Sequence, residues 1–132
     1  MNYLLDTHTF LWSIFSSENL SDKSCQIILN PENNIYISLV TFWEISLKYN
    51  LGKIKLKNIF PDDLPEITKK AGYEVFPLNE YDVSTFYKLP KISHKDPFDR
   101  LIIWQGIQNN LTIISKDSRF KGYFKYGLKV VW

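Results

Sequence analysis

The chain has a single cysteine, Cys25, in 132 residues. That excludes an internal disulfide and any zinc site built on paired thiolates. Its setting, Ser24-Cys25-Gln26-Ile27-Ile28-Leu29, reads as the buried side of a helix, so Cys25 is expected to be a core thiol and not a nucleophile. No apolar run approaches the roughly 18 residues of a membrane span, and Asp6 interrupts the apolar start of the chain. Neither a signal peptide nor a transmembrane segment is expected, and the expected location is cytoplasmic. Arginine is scarce: only Arg100 and Arg119 occur among sixteen basic residues, each within two positions of an aspartate, Asp99 or Asp117. Bidentate phosphate binding and plain Arg–carboxylate pairing both account for that placement. The formal charge of +2 is too small to argue for any class of partner. Repeats, linkers and low-complexity stretches are missing as well, so residues 1–132 are expected to form one domain.

What is present alternates. Tyr3-Leu4-Leu5 is a short continuous apolar run ending at Asp6, as in strands covered on both faces. An amphipathic helix through Phe10-Leu11-Trp12 and Ile14-Phe15 follows. Ser21 to Asn30 reads as a helix capped by Ser21 and stopped by Asn30-Pro31. Asn34 to Ile37 is a strand. Ser38 to Leu51 is a helix apolar almost all round, which predicts burial and places Trp43 in the core. The alternating run Gly52 to Lys57 reads as an amphipathic connector with a solvated face, against the competing reading of a basic arm toward nucleic acid. Pro61 to Ala71 is a helix ended by Gly72, and Glu74 to Pro77 a strand. Asn79 to Lys88 is a helix with Val83, Phe86 and Tyr87 inward, followed by a loop over Leu89 to Lys95. Pro97 to about Asn110 is the central helix, Leu111 to Ser115 a strand, and Leu128 to Trp132 the last strand. Strands alternating with helices predict an α/β fold, a three-layer α/β/α sandwich around a central parallel sheet.

Four acids stand out against this frame. Asp6 and Asp117 each follow a strand, where ligands of open parallel sheets collect; each also suits a helix cap. Asp96-Pro97 is a helix start, with Asp96 as N-cap and Pro97 at the first helical position. Asp99 then falls in the first turn, favoured by the helix dipole, yet it shares a face with Ile102, Ile103 and Gly106. Glu44 lies in the middle of the apolar helix, on a face with Val40, Leu47 and Leu51. An i,i+4 pair with Lys48 is the plain account of it; burial favours a functional carboxylate. His8 is expected to face solvent in the first turn of its helix. If the four acids converge, each pair ~5 Å apart repels by roughly 3 kcal/mol at an effective dielectric of about 20. The motifs hold no surplus of Lys or Arg to neutralise them. A divalent cation would, and an all-carboxylate set without a dependable His suits Mg²⁺ or Mn²⁺. Such ions serve phosphodiester hydrolysis.

Leu4-Leu5-Asp6-Thr7-His8, Ser38 through Trp43-Glu44-Ile45 to Lys48 and Gly52, His94 through Asp96-Pro97-Phe98-Asp99-Arg100, and Ser115-Lys116-Asp117 together resemble the successive motifs of PIN-domain ribonucleases. They look most like the VapC-type toxins of bacterial toxin–antitoxin pairs, in the subgroup with the Asp-Pro-Phe-Asp-Arg signature. The resemblance spans nearly the whole chain. It implies a PIN-like three-layer sandwich and Mg²⁺- or Mn²⁺-dependent endonucleolytic cleavage of RNA. Asp6, Glu44, Asp99 and Asp117 would be the catalytic, metal-binding acids. Asp96 would be the cap beside them or the alternative third acid, and Thr7, Arg100 and Arg119 candidate phosphate contacts. His8 stands where many relatives carry Asn or Ser. A homodimer and a small cognate antitoxin are the implied partners, and Trp12 and Trp104 are left open between core, dimer contact and antitoxin groove.

Other readings explain the residues less well. A receiver-type phosphoacceptor would need an acidic pair after the first strand, and Asp6 has no acidic neighbour. A haloacid-dehalogenase-type phosphatase would need an acid at position 8, which is His. A catalytically inactive RNA- or protein-binding module has no use for clustered negative charge against a polyanion.

Overall fold

Five short apolar segments pair as strands: β1 (Asn2–Leu5), β2 (Asn34–Ser38), β3 (Glu74–Phe76), β4 (Thr112–Ile114) and β5 (Lys129–Val131). The structure is a computed structural model that describes residues 1–92 and 94–132. All strand pairings are parallel, in the order β3-β2-β1-β4-β5. Six α-helices lie between and around them: α1 (Thr7–Phe15), α2 (Asp22–Leu29), α3 (Leu39–Asn50), α4 (Leu64–Lys70), α5 (Glu80–Ser84) and α6 (Pro97–Asn109). Short 3₁₀ turns lie in some of the connections, the longest over Ser118–Tyr126. This is the α/β fold expected, with Ser93, in the loop expected over Leu89 to Lys95, outside the described residues.

Alternation along the strands divides the interior in two. Leu4 and Ile113 point to one face, where Ile102, Ile103, Phe120 and Tyr123 cover them. Leu5 and Ile114 point to the other, against Phe10, Ile37, Ile45 and Leu64. Each face of the sheet therefore has its own core, which is why the central strands read as continuous apolar runs. Ser38 fixes α3 to α6: its hydroxyl caps α3 at Val40 N–H (3.1 Å) and bonds the buried Gln105 Oε1 (2.5 Å). The chain runs outward from β1 to β3, then returns to the far side of β1 at β4. The gap between the carboxyl ends of β1 and β4 is thus a topological switch point, where ligands of open α/β sheets bind.

Three expectations about burial fail for one reason: a helix buried on one side still exposes the other. On α3 the stripe Val40, Thr41, Glu44 and Ile45 is buried, while Leu39, Trp43, Leu47 and Leu51 form an exposed stripe at four-residue spacing. Trp43 is 60% exposed, edge-on to the Phe98 ring at 5.0 Å, and is not a core residue. In α5 the inward residue is Asp82, which completes a capping box with Asn79; Val83 and Tyr87 face outward, and Phe86 is only half-buried. Cys25 is half-buried too, Ser24 being the buried residue of α2. Trp104 is buried, its indole N–H bonded to Thr85 Oγ1 (3.1 Å), and Trp12 is half-buried against Trp132. Among the described residues no helix is long and apolar enough to cross a membrane.

Candidate active site

The two acids that follow strands flank the switch point. Asp6, at the end of β1, caps α1: its Oδ1 accepts the Thr9 N–H at 2.8 Å. Its Oδ2 accepts a short bond from the Ser115 hydroxyl, at the end of β4. The same Ser115 Oγ accepts the Asp117 N–H at 3.1 Å, so one serine sets the spacing of both acids. Asp6 is buried, and that burial pushes its carboxyl above the usual range despite the bonds from Ser115 and Thr9.

The third acid arrives on α6. Asp96 caps that helix, its Oδ1 accepting the Phe98 N–H (2.8 Å) and the Asp99 N–H (3.3 Å), as an Asp-Pro start requires. Asp99, one turn in, faces the strand ends. It lines a single cleft with Asp6 and Asp117, rimmed by His8, Trp12, Lys116 and Arg119. Burial, then the charges of Glu44, Asp96, Asp6 and Asp117, push the Asp99 carboxyl up to about 8. The repulsion expected from converging acids thus falls chiefly on one residue. His8 is exposed, as expected of it.

Glu44 stands apart from the cleft surface. It is 2% exposed, its Oε1 accepts the Thr7 hydroxyl at 2.6 Å, and its Oε2 is tied to the Lys48 ammonium one turn later. The i,i+4 pair is real, with Glu44 buried and Lys48 half-buried. Burial acts to lower the Lys48 ammonium, but the hydrogen bond and charge of Glu44 outweigh it and raise it. Lys48 also lies 3.8 Å from Asp96 Oδ2. Thr7 is therefore turned toward Glu44 and Thr41. Arg119 forks onto Asp117, Nε to Oδ1 at 3.1 Å and Nη2 to Oδ2 at 2.9 Å. Burial works upward on Asp117, but the Arg119 and His94 hydrogen bonds win and hold it below the usual carboxylate range. The motifs do carry cations that neutralise two of the acids, contrary to expectation. Asp6 and Asp99 pair with no Lys or Arg among the described residues. Arg100 turns away altogether, bonding the Leu89 carbonyl (2.9 Å) and stacking on Phe86.

One residue at the centre was not singled out from sequence. His94 is 1% exposed, and its Nε2 is 3.1 Å from Oδ2 of both Asp99 and Asp117. Its Nδ1 accepts the Asp96 N–H at 3.4 Å, which puts the ring proton on Nε2, facing the two carboxylates. Ligand atoms of His94, Asp99 and Asp117 all lie within 4.8 Å of one another. Ser115 went unmarked as well, although a Ser two residues before a strand-ending Asp is a turn signal.

The PIN domain family model matches residues 3–124. No curated protein sequence matches the chain. Among solved structures, the fold is similar to a chain of VapBC2 from Rickettsia felis bound to a DNA fragment from their promoter, at 20% identity and a TM-score of 0.69, covering 100% of this chain and 99% of that one. It is similar to a chain of DNA-bound VapBC from Salmonella typhimurium at 17% identity and 0.67, covering 99% and 97%. FitAcB from Neisseria gonorrhoeae matches at 18% and 0.62, covering 98% and 96%. With nearly its whole length matched by the family model, the chain belongs to the PIN domain family.

Proposed function

We propose that this protein is a Mg²⁺- or Mn²⁺-dependent endoribonuclease, the toxin of a toxin–antitoxin pair, acting in the cytoplasm as a homodimer. The observation that carries this reading is the convergence of Asp6, Asp99 and Asp117 on one cleft at the switch point, with Asp99 pushed up to about 8. Two acids there lack a Lys or Arg partner among the described residues, and every carboxylate is a hard oxygen donor, so the residues fit a hard divalent cation. Asp6, Asp99 and Asp117 would hold it, with Glu44 and Asp96 behind them. When bound, such a cation lowers the pKa of water and offsets charge on a phosphate oxygen.

The chain's own residues prepare that site. Ser115 and the Thr9 N–H fix both oxygens of Asp6. His94 Nε2–H bonds Asp117 Oδ2, and Asp99 Oδ2 lies at the same 3.1 Å from that nitrogen. Thr7 and Lys48 hold the two oxygens of Glu44 inside the fold, where its charge works upward on Asp99. Arg119, exposed at the rim and forked onto Asp117, presents a guanidinium of the kind that suits a substrate phosphate. A hollow against α1, apolar at Leu11, Trp12, Phe15 and Leu56 and flanked by Lys55 and Lys57, adjoins the cleft through Trp12 and supports docking of an antitoxin segment there. The exposed α3 stripe supports self-association. Similarity to chains from VapBC and FitAB complexes agrees with such a partner.

The test is cleavage of a labelled transfer RNA mixture by purified protein with Mn²⁺ or with EDTA, beside Asp6→Asn, which retains the helix cap. Discrete products that need both the metal and Asp6 are expected. Cleavage that survives EDTA would refute the metal mechanism. Absence of both cleavage and Mn²⁺ binding would favour a catalytically inactive binding module.

A further inference from the structure

Arg100 is the least satisfied cation of the described fold. It is 8% exposed, and a guanidinium buried that deeply ordinarily meets a carboxylate. None lies within 4.0 Å among the described residues. Nη2 is satisfied by the Leu89 carbonyl at 2.9 Å, and the guanidinium carbon sits 4.8 Å from the Phe86 ring centroid. Nε is buried with no hydrogen-bond partner among the described residues. A ring face and one carbonyl position the group without neutralising it.

What surrounds Arg100 is more positive charge. It lines a hollow with Lys91, Ile92, His94 and Lys95. Lys91 and Lys95 are exposed and make no ion pair among the described residues. The nearby acids are engaged elsewhere: Asp96 on the α6 cap, and Asp99 on His94. Three cations thus border one hollow. That donor set matches a phosphate, whose oxygens accept from the Arg fork and from ammonium groups alike.

His94 lies between the hollow and the acids: it lines the hollow, bonds Asp117 Oδ2 through Nε2, and has Asp99 Oδ2 3.1 Å from that nitrogen. A nucleic-acid strand presents phosphates at regular intervals, so a strand held at the acids has another phosphate close by. We propose that the hollow formed by Lys91, Lys95 and Arg100 binds a backbone phosphate of the RNA strand, next to the phosphate that is cleaved. This rests on the nuclease reading above. It divides the labour of substrate binding: a cation-dependent cleft for the reacting phosphate, and a built-in cationic hollow for its neighbour.

The experiment uses the full chain and a fluorescein-labelled 2′-O-methyl oligouridine of phosphodiester backbone. Binding is measured in EDTA by anisotropy from about 20 to about 200 mM salt. Lys91→Gln combined with Lys95→Gln removes two exposed charges and leaves Arg100 and the acids untouched. The slope of log K against log salt is expected to fall by about 0.7 for each phosphate that the variant no longer neutralises, with affinity at least about fivefold weaker at low salt. Oligomers carrying one neutral methylphosphonate at successive positions should bind the wild type weakly at one position, and that dependence should vanish in the double variant. An unchanged slope, or an equal loss at every methylphosphonate position, would overturn the proposal. So would inorganic phosphate competing at the affinity of the oligomer, which would make the hollow a free-phosphate site. Mn²⁺-dependent cleavage and its loss in Asp6→Asn are scored separately. An active nuclease with an unmoved slope refutes the hollow alone, and an inactive protein with a lowered slope refutes the nuclease reading.

Discussion

Asp99→Asn replaces a carboxyl pushed up to about 8, its Oδ2 3.1 Å from His94 Nε2, with a neutral group of the same shape. In the unfolded chain an aspartate titrates near 3.9, so between about pH 4 and pH 8 the folded metal-free protein holds a proton that the unfolded chain has released. Stability of the wild type therefore falls as pH rises through that window, by up to about 1.4 kcal/mol per unit. At pH 7 the accumulated cost is at most about 4 kcal/mol. Allowing for solvent reaching an 18% exposed side chain, a gain of about 2 kcal/mol is expected from Asp99→Asn. For a domain of this size that raises Tm by several degrees. The assay is a thermal melt of both proteins in EDTA at pH 4.5, 6 and 7.5, then at pH 7.5 with Mn²⁺. The variant should match the wild type at pH 4.5 and exceed it at pH 7.5. With Mn²⁺ the order should reverse, because a cation that binds only the folded wild type stabilises it by mass action. A variant that melts lower at every pH would show that Asp99 acts mainly through the helix dipole at the start of α6, and that the acids do not repel as their burial and charges imply.

Three further outcomes rest on the same group of residues and on the helix that carries Asp99. Lys48→Met leaves Glu44 buried with only the Thr7 hydroxyl, and should cost about 2 kcal/mol by urea denaturation; adding Glu44→Gln should restore most of it, whereas additive losses would mean the pair is not coupled. Ser115→Ala removes the bond to Asp6 and the acceptor for the Asp117 N–H, so Mn²⁺ affinity by calorimetry should fall about tenfold, with a loss of about 1 kcal/mol in stability. Gly106→Ala sets a methyl 3.0 Å from Ile113 Cδ1 and 3.2 Å from Ile113 Cγ1, where α6 crosses the sheet. The gain in helix propensity, about 1 kcal/mol, should be exceeded by the clash, and a net loss of about 1 kcal/mol is expected; a net gain would show that Ile113 yields freely.

Much of the candidate site is written in local signals. Asp6 and Asp117 are legible because one stops a continuous apolar run and the other follows one within three residues, and a parallel sheet carries all its strand ends to one edge. Asp96-Pro97 is legible as a cap, and the cap sets the turn on which Asp99 falls. The orientation of α3 is not legible, because a helix apolar all round has no preferred side. Only the sheet decides that Val40, Glu44 and Ile45 turn inward and Trp43 outward. Periodicity places Glu44 among apolar neighbours but says nothing of whether Lys48, on the same side one turn later, will follow it in.

Arg100 shows how a misleading signal can be corrected by geometry alone. It is adjacent to Asp99 in sequence, which suggests a pair. Successive residues on a helix point about 100° apart, so the two side chains cannot meet. If Asp99 faces the strand ends, Arg100 must face another neighbour, and here that is Phe86 and the Leu89 carbonyl. The same rotation keeps a guanidinium from pairing with Asp99, and so leaves that carboxyl open to a cation. It also leaves that guanidinium without a carboxylate among the described residues, beside Lys91 and Lys95. One helical step thus separates a cluster short of positive charge from a hollow short of negative charge, and a phosphodiester strand with a divalent cation at one phosphate is a ligand that answers both.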